Sequence, residues 1–220
     1  MNYTELSNAL QAYTQNYESD FVSNIPVFVQ QAEQRIYNSV QFPALRKNVT
    51  GSMTASNKYL ACPDDFLAPY SMAVIDGTGA YTYLLNKDVS YIRQAYPTPT
   101  STGMPKYYAL FGPTSSDSKE LTFILGPTPD SSYSVELHYF FYPQSISTTA
   151  DGRSWLGDNF DTVLLYGSLV EAYTFMKGEA DMITLYDTKY KDALVLAKRL
   201  GDGMERQDAY RSGQYRQAVT

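Results

Sequence analysis

The sequence predicts an α+β protein, in which a helical bundle from the N- and C-terminal helices carries an inserted antiparallel β-sandwich-like domain. Two observations lead to this prediction. Apolar residues recur at helical spacing near both ends of the chain, and between them they alternate with a period of two. We expect residues 1–48 and 150–203 to form the bundle, 49–149 the β domain, and 204–220 an extended tail.

Two amphipathic helices are expected over about residues 3–41. Thr4 or Asn2 could cap the first helix. In the second, a cap at Asp20 or Ser23 would put Pro26 in the first turn, where a missing N–H costs nothing. The apolar stripes are Leu6, Ala9, Leu10, Tyr13 and Tyr17, and then Phe28, Val29, Ala32, Ile36 and Val40.

From Val49 onward the sequence alternates as β strands do, with turn residues between the alternating runs. Strands are expected near residues 81–85, 107–111, 121–125 and 133–141. The chain has 21 tyrosines, many of them in this region. Tyrosine suits both strands and half-wet interfaces, so we expect a good share of them to lie at subunit contacts.

A long loop is expected within the β region, at residues 97–103. Its first four residues, Pro97, Thr98, Pro99 and Thr100, favour an exposed segment. Long loops in compact domains are often binding loops, and a plain mobile connector is the alternative.

Two further helices are expected over about residues 158–200, with Asp158 as the first N-cap. Gly167 lies in the apolar stripe, which indicates close approach of a neighbouring helix. Gly178 should break the third helix, and Gly201 with Gly203 should end the fourth. The last apolar stripe is Met182, Ile183, Tyr186, Tyr190, Ala193 or Leu194, Ala197 and Leu200.

The tail is too polar to form a core of its own. It carries arginine and tyrosine, the residue types that dominate binding hot spots. We expect it to be disordered in the isolated monomer and to become ordered against a partner. The candidate partner-binding residues are Arg206, Tyr210, Arg211, Tyr215 and Arg216.

Composition excludes several functions. The chain has 17 basic and 23 acidic residues, a net charge of −6, so tight non-specific DNA binding is not expected. Cys62 and His138 are the only cysteine and histidine, which excludes multi-histidine or cysteine-based metal sites. No signal peptide or membrane span is evident, so a soluble protein made in the cytosol is expected. No cofactor is predicted.

No catalytic constellation is convincing. Asp64 and Asp65 are adjacent, so turn or capping roles are favoured over shared acid–base work. His138 is expected on the polar face of a strand. Trp155 is expected to pack onto the third helix rather than to bind a ligand. A hydrolase that uses Asp64 and Glu136 is the weakest alternative, since nothing predicts their proximity.

Several stretches together resemble the head-to-tail adaptor family of short-tailed bacteriophages, the group similar to tail tubular protein A. The similarity spans roughly residues 3–195, and its order and spacing are more specific than any single motif. The matching segments are Phe21-Val22, Ile25-Pro26, Phe28-Val29, Ala32 to Tyr37, Pro63 to Leu67, Gly103 to Tyr108, Trp155-Leu156, Leu164 to Leu169, Glu171 to Tyr173 and Lys177 to Glu179.

The resemblance implies a structural virion protein and not an enzyme. It implies a ring, expected as a dodecamer, that joins the portal to the tail nozzle or tail fibre proteins and extends the DNA channel. DNA would pass through without specific binding. The helical part is expected to meet the portal, through Arg206 and the other tail residues. The β part, with the loop at Pro97 to Thr100, is expected to face the tail.

Two alternatives remain open at this point. One is a head-completion or connector protein of a long-tailed phage, which belongs to the same class. The other is a carbohydrate-binding module built on the tyrosine-rich sandwich, which would need coplanar aromatic rings on one sheet face. That alternative leaves the four helices unexplained. Assembly is expected in the host cytoplasm and final localisation at the head–tail interface of the virion.

Overall fold

The computed structural model describes residues 1–98, 100–112 and 120–212, with side chains described as far as Gly201. The chain divides into two compact units. The helical unit contains Met1–Leu45 and the chain from Tyr142 onward, and the β unit contains Arg46–Phe141. The predicted α+β class is therefore confirmed, with a sandwich-like pair of sheets in the β unit.

In chain order the helices are α1 (Tyr3–Thr14), α2 (Ser19–Ser39), α3 (Val89–Ala95), α4 (Trp155–Asn159), α5 (Asp161–Phe175) and α6 (Ala180–Ser212). The strands are β1 (Arg46–Met53), β2 (Tyr59–Ala61), β3 (Ala68–Ile75), β4 (Tyr81–Tyr83), β5 (Leu85–Asn86), β6 (Tyr107–Phe111), β7 (Thr122–Gly126) and β8 (Tyr133–Phe140). Within these residues, every helix is too short or too polar to span a bilayer.

Helix α5 is the centre of the helical unit and packs against α1, α2 and α6. Its apolar residues Leu164 and Leu169 are fully buried. Gly167 allows the predicted close approach, because an added Cβ would lie 3.2 Å from both the Ala32 Cβ and the Tyr190 ring. Trp155 packs against Phe42 and Phe160, with ring centroids 5.0 and 5.5 Å away, as the sequence predicted.

Two predicted helix starts are wrong. Helix α2 begins at Ser19 with Glu18 as N-cap, so Pro26 lies inside the helix and not in its first turn. Asp158 lies within α4, which Ser154 caps by accepting from the Gly157 N–H. Helix α5 itself begins at Asp161 with Phe160 as N-cap. The expected caps of α2 thus lie after its true start, whereas the expected cap Asp158 lies before the start of α5.

The end of the last helix was also predicted incorrectly. Helix α6 continues through Gly201 and Gly203 to Ser212, so residues 204–212 are helical and not extended. Gly201 serves packing instead of termination. An added Cβ there would lie 3.1 Å from the Gln41 carbonyl oxygen and from Val40 Cγ1. Only a residue without a side chain allows the helix to lie so close to this segment.

The β unit consists of two four-stranded sheets, with strand orders β1-β8-β3-β4 and β2-β7-β6-β5. All described pairs are antiparallel except β5 with β6. Arg46, at the start of β1, pairs with Phe140, at the end of β8. The chain therefore enters and leaves this unit at neighbouring positions, which explains how the β unit can be inserted in the helical sequence.

Residues from both sheets form the main core of the β unit. Its buried residues include Met53, Met72, Phe123, Leu137 and Tyr139. A second, smaller core forms where α3 covers the outer face of one sheet, and it contains Ile92, Ala109 and Ile124. Helix α3 was not predicted, because its seven residues bury little apart from Ile92.

Candidate interaction surfaces and buried polar groups

The predicted partner-binding residues occupy the end of the described chain. Arg206, Tyr210 and Arg211 lie on the helical backbone of α6. Tyr215 and Arg216 lie outside the described residues. The packed part of α6 runs from Tyr186 to Gly201, where the buried positions recur at helical spacing. Residues 204–212 thus extend a helix whose earlier part is anchored in the bundle.

A second face of α6 carries exposed leucines. Leu185, Leu196 and Leu200 are 45%, 64% and 51% exposed, although the sequence predicted Leu200 to be buried. Leu185 and Leu196 are eleven residues apart, about three helical turns, so they lie on nearly the same side of the helix. Scattered exposed leucines need no explanation, but a row of them along one helix marks a candidate interface.

Edge strand β4 carries two well-exposed tyrosines. Tyr81, Tyr83 and the following Leu85 are all more than half exposed, whereas the intervening Leu84 is buried. The alternation predicted from the sequence is therefore present, but the predicted apolar residues, Tyr81, Tyr83 and Leu85, face solvent. These tyrosines are exposed, and the expected contacts with another subunit stay a prediction.

The predicted loop begins directly after α3. Pro97, Thr98 and Thr100 are exposed, and Pro99 lies outside the described residues. The Thr98 and Ser101 hydroxyls are 2.9 Å apart, and the Ser101 N–H donates to the Thr98 carbonyl over 3.1 Å. The Thr128 N–H donates in turn to the Ser101 carbonyl. The loop is thus tied to the chain that follows β7.

Tyrosines also form a cluster inside the helical unit. The ring of Tyr186 contacts those of Tyr173, Tyr166 and Tyr13 at centroid distances of 5.0, 6.3 and 6.4 Å. Burial, and then the neighbouring tyrosines, raise the pKa of Tyr186 to about 12. This cluster joins α1, α5 and α6, so part of the tyrosine content serves the core and not an interface.

The candidate catalytic residues have structural partners. His138 lies on the polar side of β8 with its Nδ1 atom 3.4 Å from the Ser71 hydroxyl, as the sequence predicted. Glu136 accepts a hydrogen bond from the Asn48 side chain over 2.8 Å. Among the described side chains, no group of three or more His, Cys, Asp or Glu could hold a metal ion.

Asp65 joins two strands in a way that the sequence did not predict. The Lys47 Nζ lies 2.6 Å from one carboxylate oxygen, and the Tyr139 hydroxyl donates to the other over 2.7 Å. Burial alone would raise the pKa of Asp65, but the hydrogen bonds from Lys47 and Tyr139 outweigh it and lower that pKa. The pair Asp64-Asp65 does lie in a turn, closed by the Phe66 N–H donating to the Pro63 carbonyl.

Two buried ionisable groups were also missed. Glu33 of α2 is only 3% exposed and accepts from the Ile146 N–H over 3.0 Å. Burial raises the pKa of Glu33, while hydrogen bonds from Ser145 and Ile146 oppose that rise. Burial likewise raises the pKa of the Cys62 thiol to about 12. Both side chains are buried, which favours a structural role. No local sequence pattern predicted their burial.

Comparison with known proteins decides the class. Residues 1–218 match the SU10 adaptor protein family, nearly the whole chain. The chain belongs to the SU10 adaptor protein family. As a member of this family it is a structural adaptor protein of a bacteriophage, a virion component and not an enzyme. A comparison with curated proteins finds no match.

Proposed function

We propose that this SU10 adaptor family protein forms a ring at the head–tail junction, where it joins the portal to the tail nozzle and extends the DNA channel. The observation that carries the proposal is the family match over residues 1–218. The resemblance to short-tailed phage adaptors similar to tail tubular protein A supports a ring of about twelve copies. Assembly occurs in the host cytoplasm.

A closed ring repeats one contact between two different surfaces of neighbouring copies. The exposed leucine face of α6, defined by Leu185, Leu196 and Leu200, supplies one of these surfaces. Its apolar side chains stay solvated in the monomer and become buried when the next copy binds. Full burial of an exposed leucine contributes about 1.5–3 kcal/mol, and because these three are already about half buried, each adds roughly half of that to one contact.

The portal contact is assigned to residues 204–220, with Arg206, Tyr210, Arg211, Tyr215 and Arg216 as its anchors. The continuation of α6 to Ser212 supports this assignment, because it gives the segment a helical start that is fixed to the bundle through Tyr186 and Gly201. Arginine and tyrosine at such a site supply charge-assisted hydrogen bonds and apolar contact together.

The β unit is assigned to the tail side. Its exposed Tyr81 and Tyr83, and the loop containing Pro97, Thr98, Pro99 and Thr100, offer contacts for nozzle or tail fibre proteins. The net charge of −6 gives the channel little attraction for phosphates, so DNA passes without specific binding.

Ring formation is proposed to depend on the portal. Each contact between copies can be weak, because a preformed portal ring holds the copies at high effective concentration. In this mechanism the leucine face and residues 204–220 stay without partners until the portal positions neighbouring copies side by side.

Co-purification with the portal ring of the same phage tests the proposal. The full chain is expected to elute with the portal as a symmetric complex, and a chain lacking residues 204–220 is expected to fold but not to bind. Unchanged binding by the truncated chain would refute the assignment of the portal contact.

Electron microscopy of the parent virion would separate a short-tailed from a long-tailed phage adaptor.

Paired substitutions test the ring contact. Leu196→Lys should leave the monomer folded and weaken assembly on the portal, because it puts a charge in the leucine face. Val195→Lys is the matched control, since Val195 is also an exposed apolar residue of α6 but lies on another side of the helix. Equal assembly by the two variants would reject the leucine face as a ring contact.

A further inference from the structure

The β unit contains a pocket of about 300 Å³ between the end of α3 and edge strand β2. This volume is at the lower end of the roughly 300–1,000 Å³ that ligand pockets occupy. The lining residues Ile92, Ile124 and Leu125 are buried and apolar. Lys58 and Arg93 also line the pocket and reach solvent. The pocket therefore combines an apolar base with a cationic rim.

The walls of the pocket are held in place. Gly126 allows α3 to approach, because an added Cβ would lie 2.8 Å from Ile92 Cγ2 and 3.1 Å from the Tyr96 ring. On the other side, the Leu125 N–H donates to the Lys58 carbonyl over 2.8 Å. Thr128, another lining residue, is tied to the loop through Ser101. The pocket is thus preformed, which reduces the entropy lost on binding.

The charge of the pocket favours an anionic ligand. Two cations, Lys58 and Arg93, line it, and none of its described lining residues is Asp or Glu. Neither cation forms an ion pair with a described side chain, and the Lys58 Nζ lies 5.2 Å from the ring centre of Tyr59. In a chain of net charge −6, such a place is suited to a carboxylate, which forms charge-assisted hydrogen bonds with both residue types.

The neighbouring strand favours a peptide over other anions. Strand β2 lies at the edge of its sheet and, among the described strands, pairs only with β7. The Lys58 carbonyl and the Cys62 N–H bond towards β7, so the alternation of an antiparallel ladder turns the backbone groups of Tyr59 and Ala61 to the open edge. The Tyr59 N–H donates to the Asn57 side-chain oxygen over 3.1 Å, so the edge offers the Tyr59 carbonyl and the Ala61 backbone groups for pairing. An extended peptide can pair with such an edge and insert a side chain into an adjacent pocket.

We propose that this pocket binds an extended, acidic peptide segment of another protein. The peptide pairs with β2, a carboxylate lies between Lys58 and Arg93, and an adjacent apolar side chain fills the space over Ile124. The site is separate from the leucine face of α6 and from residues 204–220, and it does not depend on ring formation.

Selection of peptides on the purified full chain tests this site. A random phage-displayed peptide library is expected to yield sequences enriched in Asp and Glu next to an apolar residue. A synthetic copy of the most enriched peptide, carrying a fluorophore, should bind in an anisotropy titration and bind less tightly at higher salt. Lys58→Glu and Arg93→Glu should each weaken binding by at least about tenfold.

Lys106→Glu is the matched control, because Lys106 is an exposed lysine of the β unit that does not line the pocket. It should change the affinity less than about twofold, and circular dichroism should confirm that all three variants are folded. The neutral variants Lys58→Met and Arg93→Gln should give smaller losses of affinity than the charge reversals.

The proposal is overturned by selection of peptides without acidic residues, by failure to select any peptide, or by affinities that the pocket variants leave unchanged. Binding of anionic saccharides on a glycan array, without peptide selection, would also overturn it.

Discussion

Gly167 of α5 faces Ala32 of α2 so closely that a Cβ added to the glycine would lie 3.2 Å from the Ala32 Cβ. The same Cβ would lie 3.2 Å from the Tyr190 ring of α6. Three helices therefore meet at one residue without a side chain. Glycine within a helix costs about 1 kcal/mol relative to alanine, and the close packing of the three helices offsets that cost.

Gly167→Leu is expected to destabilise the chain by about 1–3 kcal/mol, because the new side chain would force α2 and α6 away from α5. The free energy of unfolding in urea measures this effect. Gly77→Leu is the control, since an added Cβ at Gly77 has nothing within 4 Å. The control should change the free energy by no more than about 0.5 kcal/mol. Equal losses in the two variants would contradict the close packing.

Gly203→Ala tests whether α6 continues past its glycines. Alanine stabilises a helix interior by about 1 kcal/mol relative to glycine, so the variant should be more helical and more stable. If the helix ended at Gly203 in a left-handed cap, the same change would be destabilising, because alanine disfavours that conformation. Circular dichroism and thermal unfolding together distinguish the two outcomes.

Asp65→Asn should reduce stability by about 1 kcal/mol near neutral pH, because Lys47 and Tyr139 lose an ionised partner. The pKa of Asp65 is lowered in the folded chain. Its contribution is therefore present above the unfolded-state pKa and is lost as the pH falls through the folded-state value. The difference from wild type should shrink as the pH falls from about 7 to about 3.

Asp64→Asn is a matched control for this measurement, because Asp64 is the adjacent exposed aspartate and no ion pair is described for it. Urea unfolding of both variants over the same pH range compares them directly. If Asp64→Asn lost as much stability as Asp65→Asn, the loss could not be assigned to the contacts of Asp65 with Lys47 and Tyr139.

Glu33→Gln should become more favourable, relative to wild type, as the pH rises. Burial raises the pKa of Glu33, so its contribution to stability is present below the unfolded-state pKa and is lost as the pH rises through the folded-state value. Glutamine keeps an oxygen acceptor for the Ile146 N–H without this pH dependence. The exposed Glu179→Gln is the control in urea unfolding. If the stability of Glu33→Gln relative to wild type fell as the pH rose, Glu33 would be stabilised in its ionised form.

Much of the fold could be predicted from the sequence because the signals were local. Helical spacing identified α1, α2, α5 and α6 but not the short α4, and alternation identified β6, β7 and β8 closely. The close approach at Gly167 followed from a glycine within an apolar stripe. Gly201 follows an apolar stripe, as a glycine that ends a helix also does. Only its contact with Gln41, far away in the sequence, shows that it allows close packing and does not end the helix.

The functional surfaces were less predictable. Glu33 was missed because its partner Ile146 is 113 residues away, and an isolated glutamate in a helix normally faces solvent. The pocket of the β unit was missed because it needs α3, a short helix with few buried residues, together with β2. The exposed direction of Tyr81 and Tyr83 depends on which side of β4 faces the core, which alternation alone does not determine.

The mass of the chain in solution, measured with and without the portal ring of its phage, tests the adaptor function most directly. We expect a monomer for the chain alone and, on addition of the portal, a symmetric complex that contains about twelve copies. A stable, monodisperse dodecamer without the portal would reject assembly on the portal. Failure to bind the portal at all would contradict the head-to-tail adaptor function itself.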